Sequence, residues 1–153
     1  MFDARGGSLV SFVRLDGVSL GGLDGSPFAC SLVVVEWHQQ VLFGYNVARQ
    51  QWEIPGGSLE VGEVAHVAAI RELVEETGIQ TDRASLLAQA EFVFAGEATS
   101  YLAAVFSVVL GSAPVLLESD ELNNFIWWDP TGELLDGMSS LDAEVVRRCL
   151  LRE

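Results

Sequence analysis

Glu72, Glu75 and Glu76 stand at positions i, i+3 and i+4 of a stretch whose apolar residues recur at helical spacing. On a helix turning about 100° per residue these side chains leave from one face, with Ala65 and Ala68 beneath them. Like charges at that spacing cost about 0.2–0.5 kcal/mol per pair, so a cation that neutralises them is the simplest reason for the cluster. An all-oxygen donor set suits Mg²⁺, with Mn²⁺ as a substitute. The opposite arc collects Val67, Ile70, Leu73 and Val74, a stripe expected to bury against a sheet.

The elements that position these carboxylates are readable on both sides. Gly78 follows the last periodic residue and is placed to end the helix in a left-handed cap. Upstream, Pro55-Gly56-Gly57 is expected to be a tight bend entering from a short strand, Gln51 to Ile54. The unit is therefore strand, loop and helix.

Gly57, five residues, Glu63, seven residues, then Arg71-Glu72-Leu73-Val74-Glu75-Glu76-Thr77-Gly78-Ile79 resembles the complete box of the Nudix hydrolases (MutT-like), and Trp52-Glu53-Ile54-Pro55-Gly56 is similar to its usual lead-in. The resemblance implies an α+β fold in which a mixed sheet lies between the box helix and a C-terminal helix (α/β/α). It implies Mg²⁺-dependent hydrolysis of a phosphoanhydride in a nucleoside diphosphate linked to another moiety. By the same resemblance Glu75 and Glu76 are metal ligands and Glu72 is a ligand or general base. A backbone carbonyl at Gly56 or Gly57 completes the shell, while Glu63 and Arg71 form a supporting pair. Arg71 lies one turn from Glu75, so its fork can orient a glutamate without touching substrate. Family members often draw a further acid from a loop beyond the box; the run Glu118 to Glu121 resembles that loop, with Glu121 the first choice and Glu118 the second.

The chain as a whole sets bounds on these expectations. Its 153 residues, half of them hydrophobic, fit one domain over 1–153, with 1–27 a possible N-terminal extension or edge strand. No apolar run reaches the ~18 residues of a membrane span, and the first residues lack an export-signal layout, so a cytoplasmic protein with no membrane partner is expected. Cys30 and Cys149 read as buried free thiols rather than a disulfide or metal pair. There is no lysine, which excludes a Walker A loop and Schiff-base chemistry. A formal charge of −14 from 22 acids against eight arginines argues against nucleic acid as a partner. A small nucleotide entering with its metal ion is compatible with that charge. Either a monomer or a homodimer is allowed.

Taken in order, Leu9 to Leu15 reads as a strand and Gly17 to Pro27 as a glycine-rich loop. Phe28 to Trp37 carries a continuous apolar run of the kind buried on both faces, and His38-Gln39-Gln40 turns it into Val41 to Tyr45. His38 reads as a turn residue and His66 as a structural histidine beside the packing stripe. Leu86 to Phe94 and Tyr101 to Leu110 are strands joined around Gly96, the second of them central. Phe125 to Asp129 is a strand, and Leu141 to Leu151 is a helix burying Leu141, Val145, Val146, Cys149 and Leu150.

Candidates for holding the substrate are Arg49, through its charge on a phosphate, and the aromatic rings of Phe94, Trp127, Tyr45 and Phe125, through stacking on a base. No proline stands near Val93-Phe94 and no tyrosine near Ala95-Gly96, residues that would resemble ADP-ribose and dinucleoside polyphosphate enzymes respectively. A (d)NTP cleaved to NMP and pyrophosphate is therefore the leading expectation. The alternatives are a nucleotide-sugar or ADP-ribose-type pyrophosphatase, a non-catalytic nucleotide-sensing module, and an RNA 5′-end pyrophosphohydrolase, for which eight scattered arginines against 22 acids provide no basic track.

Overall fold

The computed structural model describes residues 6–15 and 28–151, so the loop expected over Gly17 to Pro27 lies outside the described residues. In chain order the elements are β1 (Gly7–Arg14), β2 (Phe28–Trp37), β3 (Gln40–Asn46), β4 (Gln51–Glu53), β5 (Gly56–Ser58), α1 (Ala65–Thr77), β6 (Ser85–Phe94), β7 (Ser100–Val109), β8 (Leu122–Trp128) and α2 (Ser140–Leu150). The strands form one mixed sheet in the order β1-β6-β7-β2-β3-β4, with β5 paired to β2 and β8 to β3. Among the described strands only β2 and β7 pair in parallel; the other pairings are antiparallel.

Alternation along β2 explains its apolar run. Val33 and Val35 pack on the face covered by α1, with Leu73, Phe106 and Val108. Val34 points to the face covered by α2, with Val41, Leu141 and Val145. Both faces are dry, so neither needs polar residues. The sheet is thus sandwiched between the two helices, the α/β/α arrangement expected.

One departure from a regular sheet positions the site. β2 and β3 pair only at the hairpin, Glu36 with Val41 and Trp37 with Gln40, around the left-handed residues His38 and Gln39. Beyond it the two strands part, β3 going to β4 and β8 while β2 takes Gly56–Ser58 as a partner. The Pro55 carbonyl accepts from Val33 N–H at 2.9 Å, at the start of that pairing. The expected tight bend at Gly56-Gly57 is therefore corrected to a three-residue strand. A Cβ on Gly56 would collide with the Ser31 carbonyl, so the glycine serves close approach to β2 as well as turning.

The packing face of α1 is also corrected. Ala68, Ala69, Glu72, Leu73, Glu76 and Thr77 are its buried residues, whereas Val67 and Val74, expected to pack, are 51% and 38% exposed. The Ser31 hydroxyl donates to the Ala65 carbonyl at 2.7 Å and ties the start of the helix to β2. Small alanines let the helix lie close over β2 and β5, and the rotation that this requires carries Glu72 and Glu76 inward and two valines outward. Gly78 ends the helix at φ 79°, donating its N–H to the Val74 carbonyl, the left-handed cap expected. In α2 the Ser139 side chain caps the first turn by accepting from Asp142 N–H, and Leu141, Val145, Val146 and Cys149 are buried on the stripe that the periodicity gave.

Candidate active site

Glu72, Glu76 and Glu121 each offer a carboxylate oxygen within 4.8 Å of the other two. The first two descend from α1 and are buried. Glu121 comes from the segment before β8, where the Ser119 hydroxyl accepts from Leu122 N–H at 3.1 Å and the Glu121 carbonyl accepts from Val47 N–H at 3.1 Å. Glu118 is engaged elsewhere: its carboxylate accepts from Asn124 N–H at 2.6 Å.

Two backbone positions hold the buried pair. Gly56 N–H donates to Glu76 Oε1 at 2.8 Å. The Glu72 carboxylate lies so close over Gly57 that a Cβ there would overlap it. Burial, reinforced by the neighbouring Glu72 and Glu121, pushes the Glu76 carboxyl up to about 8 against the relief given by Gly56 N–H. Glu72 is raised as well, again chiefly by burial, with Arg71 pulling the other way. Three clustered oxygens, two of them reluctant to carry charge uncompensated, form a donor set suited to a hard divalent cation.

Arg71 organises the acids around this set. Its Nε and Nη2 fork onto Glu63 at 2.7 and 2.8 Å, and Nη1 reaches Glu72 at 3.0 Å and Glu75 at 3.2 Å. Nη2 also donates to the Ser58 carbonyl at 3.1 Å, fixing the end of β5 to the helix. The guanidinium, together with Glu60 N–H, draws the Glu63 carboxyl down to about 2. Glu75 is outside the three-oxygen group; its side chain is 57% exposed and lies on Arg71.

A cavity of about 700 Å³ opens beside these carboxylates, with Gly56, Gly57, Arg71, Glu72 and Glu121 in its lining. Cys30 and Leu32 of β2 form part of its lining, and Phe92, Phe94 and Tyr101 line it from β6 and β7. Arg49 also lines it but is occupied: Nε and Nη2 fork onto the buried Glu53 at 2.8 and 2.7 Å, which raises the guanidinium pKa. Asn46 Nδ2 and Gln51 Nε2 donate to Glu53 too, completing its partners.

Of the aromatic candidates, Phe94 lines the cavity, with its ring 5.8 Å from that of Tyr101. The others pack elsewhere. Trp127 lies on Trp37 at 5.5 Å, Tyr45 on Trp52 at 5.2 Å, and Phe125 against the core under α1. His38 sits in the hairpin against Trp37, and His66 meets Phe106 edge-on. Among the lining residues, Glu53, Glu97, Tyr101 and Asp142 were not singled out from sequence. Asp142, buried in the first turn of α2, accepts from Ile54 N–H at 3.0 Å. Only sheet order brings these residues together, although the alternation of β6 and β7 offered a signal for Tyr101.

The NUDIX domain model matches residues 29–149. The chain is similar to an RNA pyrophosphohydrolase of Dinoroseobacter shibae, 44% identical over 45 residues, which is 29% of this chain and 28% of that protein. It spans under two-fifths of the length of the first curated relatives it matches. Among solved structures it resembles a MutT NUDIX hydrolase from Burkholderia pseudomallei, with TM-score 0.68 and 20% identity over 82% of this chain and 98% of that one. It also resembles the Bacillus subtilis pyrophosphohydrolase, with TM-score 0.62 and 16% identity over 96% and 93% of the two chains. Both likenesses concern the fold. No helix among the described residues is long and apolar enough to cross a membrane.

Proposed function

The chain belongs to the Nudix family, and on that premise we propose that it hydrolyses a phosphoanhydride bond in a small nucleoside diphosphate derivative with Mg²⁺, most simply a (d)NTP cleaved to NMP and pyrophosphate. The observation that carries this proposal is the trio Glu72, Glu76 and Glu121, whose oxygens lie within 4.8 Å of one another, with Glu72 and Glu121 in the wall of a cavity large enough for a nucleotide.

Phosphoanhydride hydrolysis needs a positioned water, an acceptor for its proton, and compensation of charge growing on the phosphoryl oxygens. Glu72, Glu76 and Glu121 would hold the divalent ion, with Mn²⁺ able to substitute for Mg²⁺ and the Gly57 carbonyl a further oxygen beside them. When bound, such an ion supplies Lewis-acid compensation for the substrate's phosphates. Glu72 and Glu121, the members nearest the open cavity, are the proton acceptors we favour. Glu76 is deeper and anchored by Gly56 N–H. Glu63 acts through Arg71, which fixes the carboxylate of Glu72 and takes up Glu75.

Incubation with Mg²⁺ and a panel of NTPs, nucleotide sugars, ADP-ribose and dinucleoside polyphosphates, with products identified by mass, tests the proposal. NMP and pyrophosphate are expected, and Glu76→Gln should reduce kcat by on the order of 10²-fold or more while the protein stays folded. Undiminished turnover in that variant, or no product from any substrate at high enzyme concentration, overturns it.

A further inference from the structure

The part of the cavity lined by β6 and β7, which lie on the other side of β2 from Gly56–Ser58, has a composition of its own. Phe94 and Tyr101 line it with their rings tilted at 52°, and Phe92 lies beside them on β6. Glu97, in the turn between β6 and β7, donates its N–H to the Phe94 carbonyl at 3.1 Å, and its exposed carboxylate lies near enough to the Tyr101 hydroxyl to push that phenol above its ordinary pKa. Among the described lining residues two are cations. Arg49 is forked onto Glu53, and Arg71 is shared by Glu63, Glu72 and Glu75.

We infer that the part of the substrate remote from the reacting phosphates is a flat, amino-bearing heterocycle with no anionic group of its own, held against Phe94 and Tyr101 and recognised through its N–H groups by Glu97. The inference rests on the hydrolysis proposed above and names the class of nucleotide that site takes.

Three features point the same way. A carboxylate has about four lone-pair sites and no donor, so the Tyr101 hydroxyl leaves Glu97 with capacity to accept from an amino group. An oxo group at the same place on the ring would meet a carboxylate and lose the interaction. A further phosphate or carboxylate there would face Glu97, and the two arginines among the described lining residues are already committed to acids, a like-charge approach that specificity exploits. The tilted rings of Phe94 and Tyr101 suit a planar ring rather than a sugar.

The test compares kcat/KM within pairs that differ by one amino group: GTP with ITP, ATP with ITP, and CTP with UTP, all with Mg²⁺, in the wild-type chain and in Glu97→Gln. A preference of ~10-fold or more for the amino-bearing member is expected in at least one pair, and it should narrow several-fold in the variant. A 5′-triphosphorylated RNA oligomer, which carries further phosphates past the base, should be a poorer substrate than the matching NTP. Parity or an oxo preference in every pair overturns the inference while leaving hydrolysis standing, and so does a preference for the RNA. Where no NTP is turned over, the same pairs titrated as non-hydrolysable α,β-methylene analogues read the preference as a ratio of Kd values. Equal Kd values in every pair overturn it there as well.

Discussion

Replacing Glu76 with glutamine should remove turnover and, in the absence of metal, make the protein more stable at alkaline pH. Glutamine keeps the shape and the Oε1 acceptor for Gly56 N–H, so the substitution isolates the charge. The Glu76 carboxyl is pushed up to about 8 from an ordinary 4.5. A carboxyl whose folded pKa lies above its unfolded one contributes fully below 4.5, and that contribution is lost as pH rises through 8. The interval is about 3.5 pH units at ~1.4 kcal/mol each, so ionising Glu76 in the metal-free fold costs at most about 5 kcal/mol. Glu72 and Glu121 share the repulsion, so about half of that is a reasonable floor.

For a chain of this size each kcal/mol moves Tm by ~2–4 °C, which puts the expected gain at ~5–20 °C at pH 8.5. Thermal unfolding followed by circular dichroism in EDTA, at pH 5 and pH 8.5, measures it. The two proteins should melt within about 3 °C of each other at pH 5, where the wild-type carboxyl is mostly protonated in the fold. Adding Mg²⁺ at pH 8.5 should raise the wild-type Tm and close much of the gap, because an ion that binds only the folded state adds to its stability. A variant that melts below wild type at pH 8.5 in EDTA, or a difference that is the same at both pH values, would refute the reasoning.

Two further substitutions probe the supports of the site. Gly57→Ala places a Cβ onto the Glu72 carboxylate; it should cost about 1–3 kcal/mol and weaken the Mg²⁺-induced rise in Tm, and an unchanged rise would show that the carboxylate can move freely. Arg71→Ala releases Glu63, Glu72 and Glu75 together and should lower kcat by ~10–100-fold with little change in KM. A large rise in KM with kcat unchanged would instead place Arg71 on the substrate.

Much of the architecture was legible because local patterning and global burial agree in it. The boundaries of β2 could be read directly, since a strand covered on both faces is apolar throughout. Gly78 marked the end of α1 because only glycine enters the left-handed cap cheaply. The orientation of α1 was not legible, because periodicity assumes that the apolar arc faces inward. Here Glu72 and Glu76 are interior, and Val67 and Val74 are turned out. Spacing within one helix grouped Glu75 with Glu72 and Glu76, whereas Glu121, which arrives from 45 residues farther along the chain and lies with Glu72 and Glu76, was legible only through the family resemblance of its loop. The aromatic candidates divide for a related reason. Trp127 and Phe125 alternate onto the face under α1, while Phe94 and Tyr101 share the cavity through a pairing between β6 and β7 that no local pattern encodes.

The parting of β2 from β3 accounts for both the chemistry and its cost. A continuous sheet would have filled the space that Gly56–Ser58 occupies, and α1 would then have met side chains instead of glycine backbone. With the gap, Glu76 reaches the Gly56 amide and Glu72 comes to rest over Gly57. A Cβ at Gly57 would overlap the Glu72 carboxylate, and one at Gly56 would collide with the Ser31 carbonyl of β2. The arrangement leaves two carboxylates in surroundings that disfavour their charge, and the fold tolerates it because stability is supplied elsewhere, by the apolar layers on either face of the sheet. Arg71 then has a definite task. It binds Glu63 most closely and touches Glu72 with a single nitrogen, so it steadies Glu72 without neutralising the trio. A stronger ion pair at Glu72 or Glu76 would relieve the burial penalty, but it would also occupy the oxygens that a divalent ion needs.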